Sequence, residues 1–258
     1  MSIKKKGNST LIIAHRGGGG LGPENTLECI KEGLKYRADM IEIDIHQTKD
    51  EILIAIHDKS IDRTTNGKGL VKELTFKQIL QYNSVSDLDK DYTNITIPSL
   101  EQILELVKMK SKLLIELKKG NNYYLNIEER LIELIKKHKA EDRCIIQSFD
   151  INILKRIHLL SKNLELHFLC FGKLPFMPAW IGKKILIDPF RKYDFIKGIN
   201  IHYFFANTHT IYAAHQRNRK VLIWTVDNEK KMRKLLNLGV DGIITNYPNY
   251  LFRIMNKC

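Results

Sequence analysis

The sequence predicts an α/β protein built as a (β/α)8 TIM barrel, on three observations. Short β-rich apolar runs recur eight times in 258 residues, amphipathic segments stand between them, and no Pro/Gly/Ser linker divides the chain. Strand alternating with helix implies a parallel sheet, and eight such units suit a closed barrel. An open doubly wound sheet is the alternative. The length suits one domain over residues 1–258 with a sizeable core.

The strand runs, in order, are "LIIA" (11–14), "MIEIDI" (40–45), "LLIELK" (113–118), "CIIQSF" (144–149), "LELHFL" (164–169), "INIHYF" (199–204), "VLIWTV" (221–226) and "GIITN" (242–246). Between them, segments such as "PSLEQILELVKMK", "NIEERLIELIKKHK" and "NEKKMRKLLNLG" carry apolar residues at helical spacing. One connection is too long. From His57 to about Leu100 the chain holds a turn-rich "DKSIDRTTNGKG", a short helix-like "TFKQILQYN" and a polar stretch. A structureless loop of that size is unusual in a compact domain, so residues 59–98 read as a small insertion capping one end of the barrel. The segment "FGKLPFMPAWIGKKILIDPF" (171–190) is apolar and proline-broken.

A formal charge of +13 points to an anionic partner. The lysines are dispersed, without the aromatic-basic interleaving of a single-strand binder, so nucleic acid is not expected. Small phosphorylated substrates and an anionic membrane surface fit the charge. No apolar run approaches the roughly 18 residues of a membrane span. The start "MSIKKKGNST" leads only into "LIIA", short of a signal-peptide core of about 7 to 15 residues, so a cytoplasmic location is expected. Cys29, Cys144, Cys170 and Cys258 are far apart and form no C-x-x-C pair, so neither structural zinc nor a disulfide framework is expected.

The chemistry gathers at strand ends, where barrel enzymes carry it. In "LIIAHRGGGGLGPENTLE" (11–28) the first strand delivers His15 and Arg16 and then a glycine run that needs a close or unusual backbone path. Gly17, Gly19 and Gly22 match G-x-G-x-x-G by accident. The downstream acidic residues are wrongly arranged for a dinucleotide fold. Glu42 and Asp44 lie two apart on a strand and share a face, inward if Ile41, Ile43 and Ile45 point outward. Glu116 and Lys118 repeat the pattern between Ile115 and Leu117. Three inward carboxylates are hard oxygen donors, a set for Mg²⁺ or Ca²⁺ rather than zinc. The alternative is a buried ion-pair network of these carboxylates with Arg16 and Lys118. His57 ends "ILIAIHD", and with His15 it brackets the carboxylates as an acid/base pair. Asn25 with Glu28 reads either as an N-cap box or as a contact in the site, and Trp224 either as core or as a wall of the substrate pocket.

Taken together, "HRG" (15–17), "PENT" (23–26), "EIDIHQTKDEILIAIHD" (42–58), "RTT" (63–65), "IPSLEQIL" (97–104), "IELK" (115–118), "QSF" (147–149), "WTVD" (224–227) and "GVDGIITNYP" (239–248) resemble the glycerophosphodiester phosphodiesterase family. The match runs in order over nearly the whole chain and is weakest between about 150 and 220. The resemblance implies a TIM barrel with a small helical insertion after the second strand, and one divalent cation, Mg²⁺ or Ca²⁺, on Glu42, Asp44 and Glu116. It further implies His15 and His57 as acid and base, Arg16 and Lys118 on the phosphate, and hydrolysis of glycerophosphodiesters to an alcohol and glycerol 3-phosphate. Two other readings are a lysophospholipase D working at a membrane surface and a catalytically silent phosphodiester-binding barrel. Asp227 stands where the family usually has Asn, Asn246 where it often has Asp, and Glu51 where Gly commonly follows "KD". None is a proposed ligand or acid/base group.

Overall fold

The computed structural model of the chain describes residues 10–85, 94–173, 179–181, 185–187 and 189–256. Eight parallel strands close on themselves: β1 (Leu11–Ala14), β2 (Met40–Gln47), β4 (Lys112–Leu117), β5 (Cys144–Ser148), β6 (Glu165–Cys170), β10 (Ile196–His202), β11 (Lys220–Trp224) and β12 (Gly242–Thr245). Pairing of β1 with both β12 and β2, at Ile13↔Ile244 on one side and Ile13↔Met40 on the other, seals the cylinder. The short strand β3 (Leu53–Ala55) folds back antiparallel on β2 and returns the chain toward the mouth at His57.

The alternation that identified the strands also sorts the core. Ile41, Ile43, Ile45, Ile115 and Leu117 pack outward against the surrounding helices, in one large apolar cluster. Ile13, Met40, Leu114, Ile145, Leu222 and Ile244 fill the barrel's interior. Glu42, Asp44 and Glu116 therefore point inward, above that apolar plug. The helices α1 (Leu27–Lys35), α3 (Leu100–Val107), α4 (Ile127–Lys137), α5 (Ile151–Leu160), α7 (Thr208–His215), α8 (Glu229–Leu238) and α9 (Pro248–Met255) surround the sheet. Their starts follow local chemistry: Ser99 and Gln102 form a reciprocal capping box on α3, and the Asn228 side chain caps α8.

The insertion is less helical than expected. It holds a single turn, α2 (Phe76–Ile79), a 3-10 turn at Val71–Glu73 and isolated bridges, packed on an apolar cluster of its own that includes Ile54, Ile61 and Ile79. Within 59–98, residues 86–93 lie outside the described residues. The 171–190 segment contributes β7 (Gly172–Lys173), β8 (Ala179–Ile181) and β9 (Ile185–Ile187) as a small antiparallel sheet, followed by the turn α6 (Pro189–Lys192). Residues 174–178, 182–184 and 188 of that segment, and Cys258, also lie outside the described residues. Trp180 is buried with its ring edge-on to Phe190, so this part of the segment is folded in. The strand expected at 199–204 ends at His202, because the His202 ring accepts from the Phe204 N–H and starts a 3-10 turn at Tyr203–Phe205. Among the described residues no helix is long and apolar enough to cross a membrane.

Candidate active site

At the C-terminal ends of the barrel strands lies a cavity of about 110 Å³, lined by His15, Arg16, Glu42, His57, Glu116, Lys118 and Trp224 among others. A larger hollow of about 740 Å³ on the flank near Glu133 and Lys137 is lined by no histidine. The chemistry sits in the smaller one.

The first strand stops at Ala14, and His15–Gly17 form a tight 3-10 turn in which Arg16 has φ +52°. Gly17 follows at φ +87°, and a Cβ there would stand 2.9 Å from the Ile30 backbone nitrogen. That explains the start of the glycine run: the turn is pressed onto α1 with no room for a side chain. The Arg16 N–H donates to Glu42 Oε2 (3.0 Å), so the same turn also orders a carboxylate.

Glu42, Asp44 and Glu116 each bring a carboxylate oxygen to within 4.8 Å of the others, and all three are buried. Lys118 Nζ lies 3.0 Å from Asp44 and 2.9 Å from Glu116, while Arg16 Nε lies 3.3 Å from Asp44. Two cations thus face three carboxylates. Burial, then the neighbouring Asp44 and Glu116 charges, push Glu42 well above the usual carboxylate range. Burial also lifts Glu116, to about 7, against the pull of Lys118. For Asp44 burial is overridden by Lys118 and Arg16, which hold it far below that range. A buried hard-oxygen cluster left short of positive charge could hold a metal ion.

Both histidines are oriented from behind. Asn246 Nδ2 donates to Asp227 Oδ2 (2.8 Å), which leaves Asn246 Oδ1 to accept from His15 Nδ1 (2.7 Å). The His15 lone pair is then on Nε2, 4.0 Å from Glu42 Oε2. Burial, then Arg16, lowers His15 to about 4, so it is neutral at pH 7. His57 Nδ1 donates to Asp58 (2.7 Å), and Asp58 accepts from Arg63 Nε (2.6 Å). Arg63 continues to Glu24, which also holds Arg16 in a forked pair at 3.0 Å. Burial, opposed by Asp44 and aided by Lys118 and Arg16, lowers His57 as well.

Several of these partners escaped sequence reasoning. Asp227 and Asn246 are not independent departures but one hydrogen-bonded pair behind His15. Glu51 does adopt φ +67°, the left-handed conformation for which Gly is suited. His46 donates from Nε2 to the His57 carbonyl (3.1 Å) and accepts on Nδ1 from the Tyr124 hydroxyl (2.7 Å), fixing the backbone that carries His57. The N-cap box at Asn25 and Glu28 is corrected. Thr26 caps α1 by accepting from Cys29 N–H, while Asn25, at φ +60°, donates to Asp44 Oδ2 (3.0 Å) and accepts from the Asp44 N–H. Asn25 is thus a direct contact of a site carboxylate. Trp224 is half-buried at the rim, donates to the Asn200 carbonyl (2.9 Å) and meets Phe149 and Phe171 ring to ring.

A parallel barrel with an acidic cluster and two histidines at its C-terminal mouth defines a hydrolase-type site. Residues 15–250 match the family profile described as the glycerophosphoryl diester phosphodiesterase family. The chain is 34% identical over 251 residues to a glycerophosphodiester phosphodiesterase of Caldanaerobacter subterraneus subsp. tengcongensis, covering 96% of this chain and 98% of that one. A more distant relative, lysophospholipase D GDPD1 of Rattus norvegicus, is 27% identical over 277 residues, covering 95% and 86% of the two chains. Among solved structures, a phosphodiesterase of Oleispira antarctica in complex with its product sn-glycerol-3-phosphate superposes with a TM-score of 0.86 at 24% identity, covering 96% and 97% of the two chains. The chain belongs to the glycerophosphoryl diester phosphodiesterase family. It is an enzyme, a glycerophosphodiester phosphodiesterase.

Proposed function

We propose that the enzyme hydrolyses glycerophosphodiesters to an alcohol and glycerol 3-phosphate, with Glu42, Asp44 and Glu116 holding one divalent cation, Mg²⁺ or Ca²⁺. The observation that carries this reading is the convergence of the three carboxylates between two histidines whose Nδ1 atoms are both engaged from behind. Bound there, the cation would polarise a phosphoryl oxygen and offset the charge of the diester. Arg16 and Lys118, whose cationic ends lie at the carboxylates, would bind the phosphate. His15 and His57 present Nε2 to the cavity: one takes the proton of the attacking hydroxyl or water, the other gives a proton to the departing alcohol. Asn25 holds Asp44, and Trp224 with Phe149 forms a wall for the glycerol or head group. The free, buried thiols of Cys29, Cys144 and Cys170 accord with a cytoplasmic location. We treat residues 1–258 as one catalytic unit.

A second reading, turnover of lysophospholipids at an anionic membrane surface, is favoured by one observation. Phe171 (44% exposed) and Phe204 (77% exposed) stand at the mouth, with Lys231 stacked 3.8 Å over the neighbouring Tyr203 ring. The test is turnover of soluble glycerophosphodiesters and of lysolipids after EDTA treatment, with single-metal add-back. Full activity in EDTA overturns the cation assignment, and no turnover of any glycerophosphodiester overturns the reaction.

A further inference from the structure

Behind the site, the barrel interior contains a hydrogen-bonded chain that none of the roles above uses. Gln147 Nε2 donates to Glu42 Oε1 (3.0 Å), and Asn200 Nδ2 donates to Gln147 Oε1 (2.5 Å). Asn200 Oδ1 faces His167 Nδ1 (2.9 Å), and His167 Nε2 faces Glu165 Oε1 (2.9 Å). Lys220 closes the far end on both Glu165 oxygens, at 2.8 and 3.1 Å. His167 and Asn200 are wholly buried, and Gln147 nearly so.

The polarity of this chain is constrained. With a cation bound to Glu42, both ends are ionised carboxylates, which only accept. Each carboxamide between them donates on one side and accepts on the other. Starting from Glu42, Gln147 must donate to it, Asn200 must donate to Gln147, and Asn200 Oδ1 must then accept from His167. The other ring nitrogen meets Glu165 and must donate as well, so His167 carries hydrogen on both nitrogens. Turning both amides over would only move the conflict, setting Gln147 Oε1 against Glu42 Oε1. A buried imidazolium needs a counter-ion, and Glu165 supplies it. Burial works against its charge, but His167 and Lys220 hold its pKa near 2. The fold also makes room for the ring. Strand β10 shifts register between Ile196 and Gly198, and a Cβ at Gly198 would fall 2.5 Å from the imidazole.

We propose that Glu165, His167, Asn200 and Gln147 are positioning residues, a chain polarised by an imidazolium at His167 that fixes Glu42 for the cation from the opposite end of the barrel. Glu42 is then held at both oxygens, Oε1 by the chain and Oε2 by the Arg16 N–H. The proposal rests on the reading of Glu42 as a cation ligand. Outer-shell partners of ligands typically change metal affinity by about 10- to 100-fold.

The test titrates Mg²⁺ and Ca²⁺ calorimetrically into the chelator-treated full chain, comparing wild type, His167→Leu, Gln147→Leu and the double variant. His167→Leu should weaken binding by about 10-fold or more, and lost turnover should return at saturating cation. If His167 acts through Gln147, the double variant binds no more weakly than Gln147→Leu alone. Wild-type affinity in His167→Leu, or losses that add in the double variant, overturns the proposal. A ¹⁵N NMR measurement on the wild-type ring needs no variant to fold. With Mg²⁺ or Ca²⁺ bound, both His167 nitrogens should read as protonated at pH 7, and a neutral tautomer overturns the polarity. Wild type that binds no divalent cation refutes the cation reading, whereas cation binding with a neutral His167 ring refutes the polarised chain alone.

Discussion

Replacing Asn246 by Ala removes the acceptor 2.7 Å from His15 Nδ1 and leaves the Asp227 carboxylate with the Asn246 N–H and the Thr245 hydroxyl as its donors. Leaving a buried Nδ1–H without a partner costs about 1–3 kcal/mol. The same loss frees the ring to place its hydrogen on Nε2, where it blocks the lone pair facing the cavity. At about 1.4 kcal/mol per tenfold in rate, kcat/KM for a glycerophosphodiester should fall by about 10- to 100-fold. His15→Ala, which removes the imidazole itself, should cost about 10²-fold or more. Asn246→Asp should also be damaged, because it sets two carboxylates at a hydrogen-bonding distance where both cannot ionise freely. The double exchange Asp227→Asn with Asn246→Asp restores a donor facing an acceptor, and should recover about tenfold over Asn246→Asp alone. Steady-state kinetics with stability checked by thermal melting reads all of these. Asn246→Ala at the wild-type rate, or a double exchange no better than the single one, refutes the orientation of His15 argued from the Asp227–Asn246 pair.

Three further outcomes follow from the same geometry. A carboxyl raised in the folded chain contributes stability below its unfolded value of 4.5, and that contribution is lost as pH rises through the folded value, about 7 for Glu116. In chelator, therefore, Glu116→Gln should lose less thermal stability than wild type between pH 5 and 7, and a parallel pH response of the two proteins contradicts the assignment. Phe204→Ser should lower lysolipid turnover about fivefold or more while leaving a water-soluble diester within about twofold, since its exposed ring meets an apolar surface only in the first case; equal losses on both would make the ring structural. If the glycerol 2-hydroxyl attacks phosphorus first, favoured by proximity, the alcohol leaves and water opens a cyclic phosphate. A 2-deoxy glycerol analogue should then be inert, and hydrolysis at a near-normal rate eliminates that route.

The barrel was legible because its strands are buried on both faces and read as apolar runs, against which Glu42, Asp44 and Glu116 stand out as charges needing neutralisation. The same rule applies to "LELHFL" and "INIHYF", where Glu165, His167 and Asn200 interrupt apolar strands at inward positions, as Glu42, Asp44 and Glu116 do in the second and third strands. What sequence could not give is pairing across distance. Glu24 meets Arg63 39 residues on, and Asp227 meets Asn246 19 residues on, and neither pair is encoded by local spacing. Asn25 failed as a cap for a local reason: its positive φ turns the side chain toward Asp44, and the cap passes to Thr26. The insertion was detectable only by its length, since its apolar residues pack on one another without a regular period.

The two histidines look equivalent in sequence, but their supports differ, and the difference assigns them. His15 is backed by a neutral carboxamide and lowered by burial and Arg16 to about 4, so it starts neutral and is suited to accept a proton. His57 is backed directly by the Asp58 carboxylate, itself tied to Arg63, and its side chain is 34% exposed. A carboxylate on Nδ1 stabilises an imidazolium where an amide does not, so His57 is the better holder of the proton given to the leaving alcohol. The prediction is that His15 acts as base and His57 as acid. A p-nitrophenyl diester needs no protonation of its leaving group, whereas a choline-type alkoxide does. His57→Ala should therefore lose about 10²-fold or more on the alkyl diester and recover most of that loss on the nitrophenyl one, while His15→Ala is impaired on both. The reverse pattern exchanges the two roles, and equal losses for both variants on both substrates mean that neither histidine protonates the leaving group.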